Sequence, residues 1–104
     1  MTESALTGLA PQAQPNARIL ILGSMPGAVS LAQQQYYAHP RNAFWPIMAQ
    51  LLGFAADLPY ADRIRALNAA GVALWDVIAS CQRSGSLDSA IRHEQLNDFQ
   101  RFFT

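Results

Sequence analysis

The sequence predicts an α/β fold, a parallel sheet flanked by helices. Two short apolar runs, Arg18-Ile19-Leu20-Ile21-Leu22 and Val72-Ala73-Leu74-Trp75, have the length and branched content of buried strands. Segments with helical composition lie between and after them. The order strand, helices, strand, helices favours parallel pairing through right-handed crossovers.

Thr2 to Asn16 is rich in Ala, Gln and Pro and lacks a clear period. Residues 1–17 are expected to form a flexible leader, ordered at most at Leu6 and Leu9. The first strand ends at Gly23, where Gly23-Ser24-Met25-Pro26-Gly27 reads as a turn. Ala28 to Gln35 has helical composition. Tyr36 to Arg41 is expected to be irregular, because Pro40 moves His39 out of helical geometry. Asn42 is a suitable N-cap for a helix reaching Leu52, with Pro46 in its first turn and Gly53 after its end.

Pro59 to Ala70 reads as a further helix stopped by Gly71, and the second strand ends at Asp76. Ser80 to Ser86 reads as a polar turn. Ser86 or Asp88 can open a helix through Ile91, and Asn97 starts another that carries Phe99, Phe102 and Phe103. Two strands alone do not make an independently stable sheet. With the Phe-rich last helix, this leads us to expect further strand–helix units beyond Thr104.

Composition narrows the function. The 104 residues suit one domain, and 51% are apolar, enough for a core. Charged residues are 13%, with Lys+Arg and Asp+Glu at 7 each. That balance argues against a non-specific nucleic-acid coat, which needs many phosphate-neutralising cations, but not against an enzyme that grips DNA at a few points. Cys81 has no partner cysteine for an internal disulfide and reads as a buried thiol. Zinc-ligand spacings are absent from the sequence, and no metal is expected. Glu3 and the lack of a basic n-region and apolar h-region count against a signal peptide. No apolar run reaches about 18 residues, so no membrane span is expected. A cytoplasmic protein fits this pattern.

In open α/β sheets, ligands bind at the carboxyl ends of the strands. Gly23–Gly27 and Asp76 both fall there. The turn can bring backbone N–H groups close to an anionic or carbonyl oxygen. It lacks the Lys-Ser/Thr ending of a P-loop and the spacing of a dinucleotide fingerprint, and it can equally be a structural turn. Tyr36-Tyr37-Ala38-His39-Pro40-Arg41-Asn42-Ala43-Phe44-Trp45 is dense in rings and polar groups. Aromatic faces can stack a nucleobase, an Asn amide can read a base edge, and Arg41 can hold a phosphate. Structural readings stand beside these: Asn42 as a cap, Phe44, Trp45 and Trp75 as core, His39 as a hydrogen-bonding residue. Asp76 can act as a general base, orient a water, or cap the next turn. Ser80, Arg83, Ser84 and Ser86 read as a solvated loop that could touch phosphates.

Gly23-Ser24-Met25-Pro26-Gly27, His39-Pro40-Arg41-Asn42-Ala43-Phe44-Trp45, Ala73-Leu74-Trp75-Asp76-Val77 and Gly85-Ser86-Leu87-Asp88-Ser89 together resemble the DNA-deoxyinosine (hypoxanthine-DNA) glycosylases. These are a branch of the uracil-DNA glycosylase superfamily. The resemblance runs from about Arg18 to the end. It implies the N-terminal portion of a single three-layer α/β/α glycosylase domain over residues 18–104. It also implies monofunctional hydrolysis of the N-glycosidic bond of a deaminated base, without metal or organic cofactor. The family's essential asparagine falls on Asn42. The glycine turn Gly23, Ser24, Met25, Pro26 and Gly27 lines the pocket. Tyr36, His39, Arg41 and Phe44 are expected around the base, with Asp76 beside Asn42 as a second catalytic candidate. The expected partner is DNA carrying deaminated bases, with no obligate protein partner. Rival readings are a non-catalytic nucleic-acid or nucleotide-binding α/β domain and an inactive remnant.

Overall fold

A computed structural model describes residues 5–103. The expected leader therefore lies partly outside the described residues, at 1–4, as does Thr104. In chain order the elements are β1 (Ala5–Thr7), β2 (Ile19–Gly23), α1 (Ala28–Gln33), α2 (Phe44–Leu52), α3 (Tyr60–Ala69), β3 (Val72–Asp76), β4 (Ile78–Gln82), a 3-10 turn (Asp88–Ala90), β5 (Arg92–Leu96) and α4 (Phe99–Phe102).

The two apolar runs form the expected parallel pair. Ile19 lies opposite Val72, Ile21 opposite Leu74 and Gly23 opposite Asp76. Successive strand residues face opposite sides of a sheet. On one side Val72 and Leu74 join Leu9, Tyr36, Trp45 and Leu67 in the main core, with Met48, Tyr60 and Ile64 of α2 and α3 packed against it. On the other side Trp75 meets Phe99 and Phe102 of α4, with ring centroids 5.0 and 4.7 Å away. Helices thus cover both faces, and the fold is α/β.

A second sheet was not legible as such. β1, β4 and β5 form an antiparallel ladder in the order β1-β4-β5. The polar turn expected from Ser80 begins instead as strand, with Leu6 opposite Cys81 and Thr7 opposite Ser80. Ile78 and Cys81 are buried while Ala79, Ser80 and Gln82 are half-buried, so polar letters here occupy a strand. The expected flexible leader is paired where it is described: Ala5–Thr7 joins β4, and Gln12 exchanges backbone bonds with Leu74 at 2.9 and 3.0 Å. β5 is exposed along its whole length and carries no apolar alternation to read. Cys81 and Ile78 pack with Met25 in a smaller cluster that tethers this sheet to the glycine turn.

Helix ends follow local chemistry. The N-cap of α2 falls on Ala43 rather than on the expected Asn42, whose Oδ1 accepts from the Phe44 N–H at 2.8 Å from one residue before the cap. Gly53 ends α2 at φ 77°, a left-handed conformation that glycine adopts freely. The helix expected from Ser86 or Asp88 is only a 3-10 turn. α4 opens at Asp98, whose side chain accepts from the Arg101 N–H. Among the described residues no helix is long and apolar enough to cross a membrane.

Leu67 is fully buried under β3, whereas Leu51 is 71% exposed on α2. We expect Leu67→Ala to cost about 2–5 kcal/mol in chemical denaturation. Leu51→Ala should stay within about 0.5 kcal/mol. Equal losses at both positions would contradict this placement of the core.

Candidate functional site

A cavity of about 400 Å³ opens at the carboxyl ends of β2 and β3, within the range of small-molecule sites. Gly23, Ser24, Met25, Pro26 and Gly27 form one wall, and Tyr36, Tyr37, His39 and Asn42 form another. Asp76 lies at the end of β3, and Ser86 and Asp88 close a third side. The sequence-predicted residues Asn42, Asp76, His39 and the glycine turn thus share one space.

The parallel register brings the first wall to Asp76. Gly23 sits opposite Asp76, and a Cβ on Gly23 would collide with the Asp76 carboxylate. The same Cβ would stand 3.8 Å from the Tyr37 hydroxyl. The clash is with the carboxylate alone, since 3.8 Å is an ordinary contact, so glycine at this position makes room for Asp76. Carbonyls of the turn are held by the link from β3 to β4: Gly23 accepts from the Val77 N–H at 2.8 Å and Ser24 from the Ile78 N–H at 3.0 Å. In a planar trans peptide the following N–H points the opposite way. The Ser24 and Met25 N–H groups therefore turn away from those two donors, and both residues line the cavity. The Met25 side chain is buried with Ile78 and Cys81, so the turn offers backbone rather than side chain.

Asp76 is 5% exposed, and its Oδ2 has no hydrogen-bond partner among the described residues. Burial, and secondly the nearby Asp88 charge, together push its carboxyl up to about 6. Its backbone is pinned by Asn97, whose Nδ2 donates to the Asp76 carbonyl at 2.7 Å. Burial, with Asp76 second, also raises the Tyr37 hydroxyl, which remains a protonated donor.

The aromatic segment divides its labour differently from expectation. Tyr36 is 2% exposed, and its hydroxyl donates to the Leu9 and Ala10 carbonyls at 3.3 and 2.8 Å. Its own carbonyl accepts from Trp45 Nε1 at 2.9 Å. Tyr36 is thus a core pillar that only borders the cavity. Phe44 and Arg41 do not line it. Phe44 stacks behind Tyr37, centroids 3.9 Å apart and planes at 20°. Arg41 is exposed, and its N–H donates to His39 Nδ1 at 3.1 Å. Tyr37, held at φ 55°, supplies the accessible ring. A left-handed backbone is uncommon for a tyrosine, and no sequence period separates Tyr37 from Tyr36. Ser86 and Asp88 were also missed as wall residues; the Gly85–Ser89 motif was the available signal.

Asn42 is exposed at the rim. With Oδ1 engaged by the Phe44 N–H, its Nδ2 is free to donate outward. The lining includes no lysine or arginine and carries two carboxylates, Asp76 and Asp88. Such a cavity suits a neutral ring with hydrogen-bonding edges better than a phosphate.

Gly23→Ala should displace Asp76 and lower stability, and Asp76→Ala in the same chain should relieve much of that loss. Additive losses in this double-mutant cycle would contradict the contact. Because the folded carboxyl titrates above its unfolded value, this group favours folding most below about pH 4. That contribution is lost as pH rises through about 6. Asp76→Asn should therefore stabilise the fold at pH 7 by about 1–3 kcal/mol and flatten the pH dependence in denaturation curves.

Comparison with known proteins places this geometry. The model of the uracil DNA glycosylase superfamily matches residues 10–103. The chain is 40% identical over 93 residues to a hypoxanthine DNA glycosylase of Methanosarcina barkeri (strain Fusaro), covering 88% of this chain and 59% of the relative. It is 41% identical over 85 residues to a hypoxanthine DNA glycosylase of Methanosarcina acetivorans, covering 81% and 54%. The solution NMR structure of a uracil DNA glycosylase candidate from Methanosarcina acetivorans superposes with a TM-score of 0.82 at 37% identity, over 92% of this chain and 60% of that one. The chain spans a little over half the length of the relatives it matches. With a family match across nearly all its residues and a site at the strand ends, the chain belongs to the uracil-DNA glycosylase superfamily.

Proposed function

We propose that this chain forms the base-binding half of a DNA glycosylase that hydrolyses the N-glycosidic bond of a deaminated base, hypoxanthine foremost. The observation that carries the reading is the union of the glycine turn, Asn42 and an unpartnered Asp76 oxygen around one cavity with no lysine or arginine among its described lining residues.

Deamination replaces an amino group by a carbonyl and turns the neighbouring ring nitrogen from acceptor into N–H donor. A complementary site needs fixed donors beside one acceptor. The Ser24 and Met25 N–H groups supply the donors, and Asp76 Oδ2 supplies the acceptor. Adenine and cytosine present the opposite pattern, which would leave buried groups on both sides unpaired, a strong basis for rejection. This assigns Asp76 to recognition rather than to the water-orienting task its position suggested.

The glycosidic bond is hidden in a duplex, so the nucleotide must be flipped out, at a cost lowered by mispairing. The base then lies against the Tyr37 ring, which Phe44 supports from behind. As the bond breaks, the sugar gains oxocarbenium character and the base gains negative charge. Turn amides and Asn42 Nδ2 meet that charge with preorganised donors. An amide cannot act as a strong base, so the rate rests on leaving-group stabilisation.

In single-turnover assays on inosine-containing duplex with the full-length protein, Asn42→Ala should lower excision at least a hundredfold with the fold intact. Alkali-cleavable abasic sites should appear with inosine and not with adenine. Intact DNA with retained binding would instead favour the non-catalytic binding domain, and near-normal rates would remove Asn42 from the mechanism.

A further inference from the structure

We propose that Arg83 is a positioning residue that sets the glycine turn from behind and aims its last amide into the cavity. This rests on the base-binding reading of the turn and extends it to a residue outside the cavity wall.

Arg83 follows β4 and is only 3% exposed, rare for a guanidinium. Its Nη2 donates to the Pro26 carbonyl at 2.6 Å, and its Nε donates to the Gly85 carbonyl at 2.9 Å. Nη1 is buried without a partner. No carboxylate pairs with Arg83 among the described residues. A buried, uncompensated cation is costly, so its retention needs a reason beyond stability. The two contacts it makes supply one.

Gly23 and Ser24 carbonyls are already held by the backbone N–H groups of Val77, just after β3, and Ile78, the first residue of β4. The ladder ends there, and Pro26 lies beyond its reach. Arg83 extends the row of donors by one, through a side chain. Holding the Pro26 carbonyl toward the antiparallel sheet turns the Gly27 N–H the other way by peptide planarity. Ser24, Met25 and Gly27 N–H groups then face the same space. Pro26 has no N–H and leaves the only gap in that row.

The Gly85 bond serves the same end. It fixes the loop that carries Ser86, whose Oγ accepts from the Ala28 N–H at 2.8 Å. A Cβ on Gly27 would stand 3.4 Å from that oxygen, so the loop and the turn are already in close contact. Arg83 therefore clamps the turn at Pro26 directly and at Ala28 through Ser86. A lysine could reach one carbonyl but could not form both bonds in one plane.

The test is backbone ¹⁵N relaxation of the 104-residue chain, with free hypoxanthine as ligand. In the unmodified chain, Ser24, Met25 and Gly27 amides should show order parameters near the rigid value of about 0.85. In Arg83→Met, Gly27 should fall below about 0.6 while α3 stays rigid, and hypoxanthine affinity should drop at least tenfold. Arg83→Lys should restore part of both. Ser86→Ala, at an exposed position, gives the same test at Ala28 should Arg83→Met fail to fold. Unchanged order parameters in the variants overturn the proposal. Loosened amides in Arg83→Met, with the full-length protein leaving inosine duplexes intact, would remove the glycosylase reading and leave the clamp standing.

Discussion

The contact between the backbone of Gly23 and the side chain of Asp76 sets the terms for the site. It is the last rung of a parallel ladder, and it exists only because residue 23 has no Cβ. From that rung the chain leaves the sheet as a turn whose carbonyls are claimed by the link from β3 to β4. Its amides are left for something else. The carboxylate on the neighbouring strand is buried without a donor. Neither arrangement favours stability by itself. Unpaired polar groups of this kind are found where a ligand is meant to complete them.

The remaining architecture supports that rung. Trp45 donates to the Tyr36 carbonyl and lies beneath Arg63, whose guanidinium is 4.8 Å from the ring centroid. Tyr36 is tied to Leu9 and Ala10, and Leu9 belongs to the same core. The segment from Tyr36 to Asn42 is therefore anchored at its start by core packing and at its end by the bond from the Phe44 N–H to Asn42 Oδ1. Tyr37 and Asn42 are presented from this strap with little freedom. On the far side, Asn97 pins the chain at Asp76. An antiparallel sheet with almost no apolar alternation thus contributes to the site by bracing the turn that follows β2.

What the sequence disclosed follows from how far each signal reaches. β2 and β3 are continuous apolar runs, which made them visible, although only β3 is buried along its whole length while Ile19 and Leu22 of β2 are exposed. Gly23 and Asp76 were visible as unlike residues at the ends of those runs. β1, β4 and β5 were not visible, because their pairing is non-local and their letters are polar or few. Tyr36, expected around the base, is a core residue, and Tyr37 offers the accessible ring instead, because the backbone at φ 55° decides which ring enters the core. Arg83 looked like loop chemistry in a polar stretch. Its burial depends on the Pro26 carbonyl, far away in sequence, which no local pattern encodes.

The central claim is that a purine seats against the turn amides, with Asp76 and Asn42 beside it. The most direct measurement is an NMR titration of the labelled chain with free hypoxanthine, followed by intermolecular nuclear Overhauser contacts. The account predicts the largest shifts at the Ser24, Met25 and Gly27 amides and the Asn42 side-chain amide, with ring protons near Tyr37. Saturable binding whose contacts fall elsewhere on the molecule, leaving these amides unmoved, would contradict it.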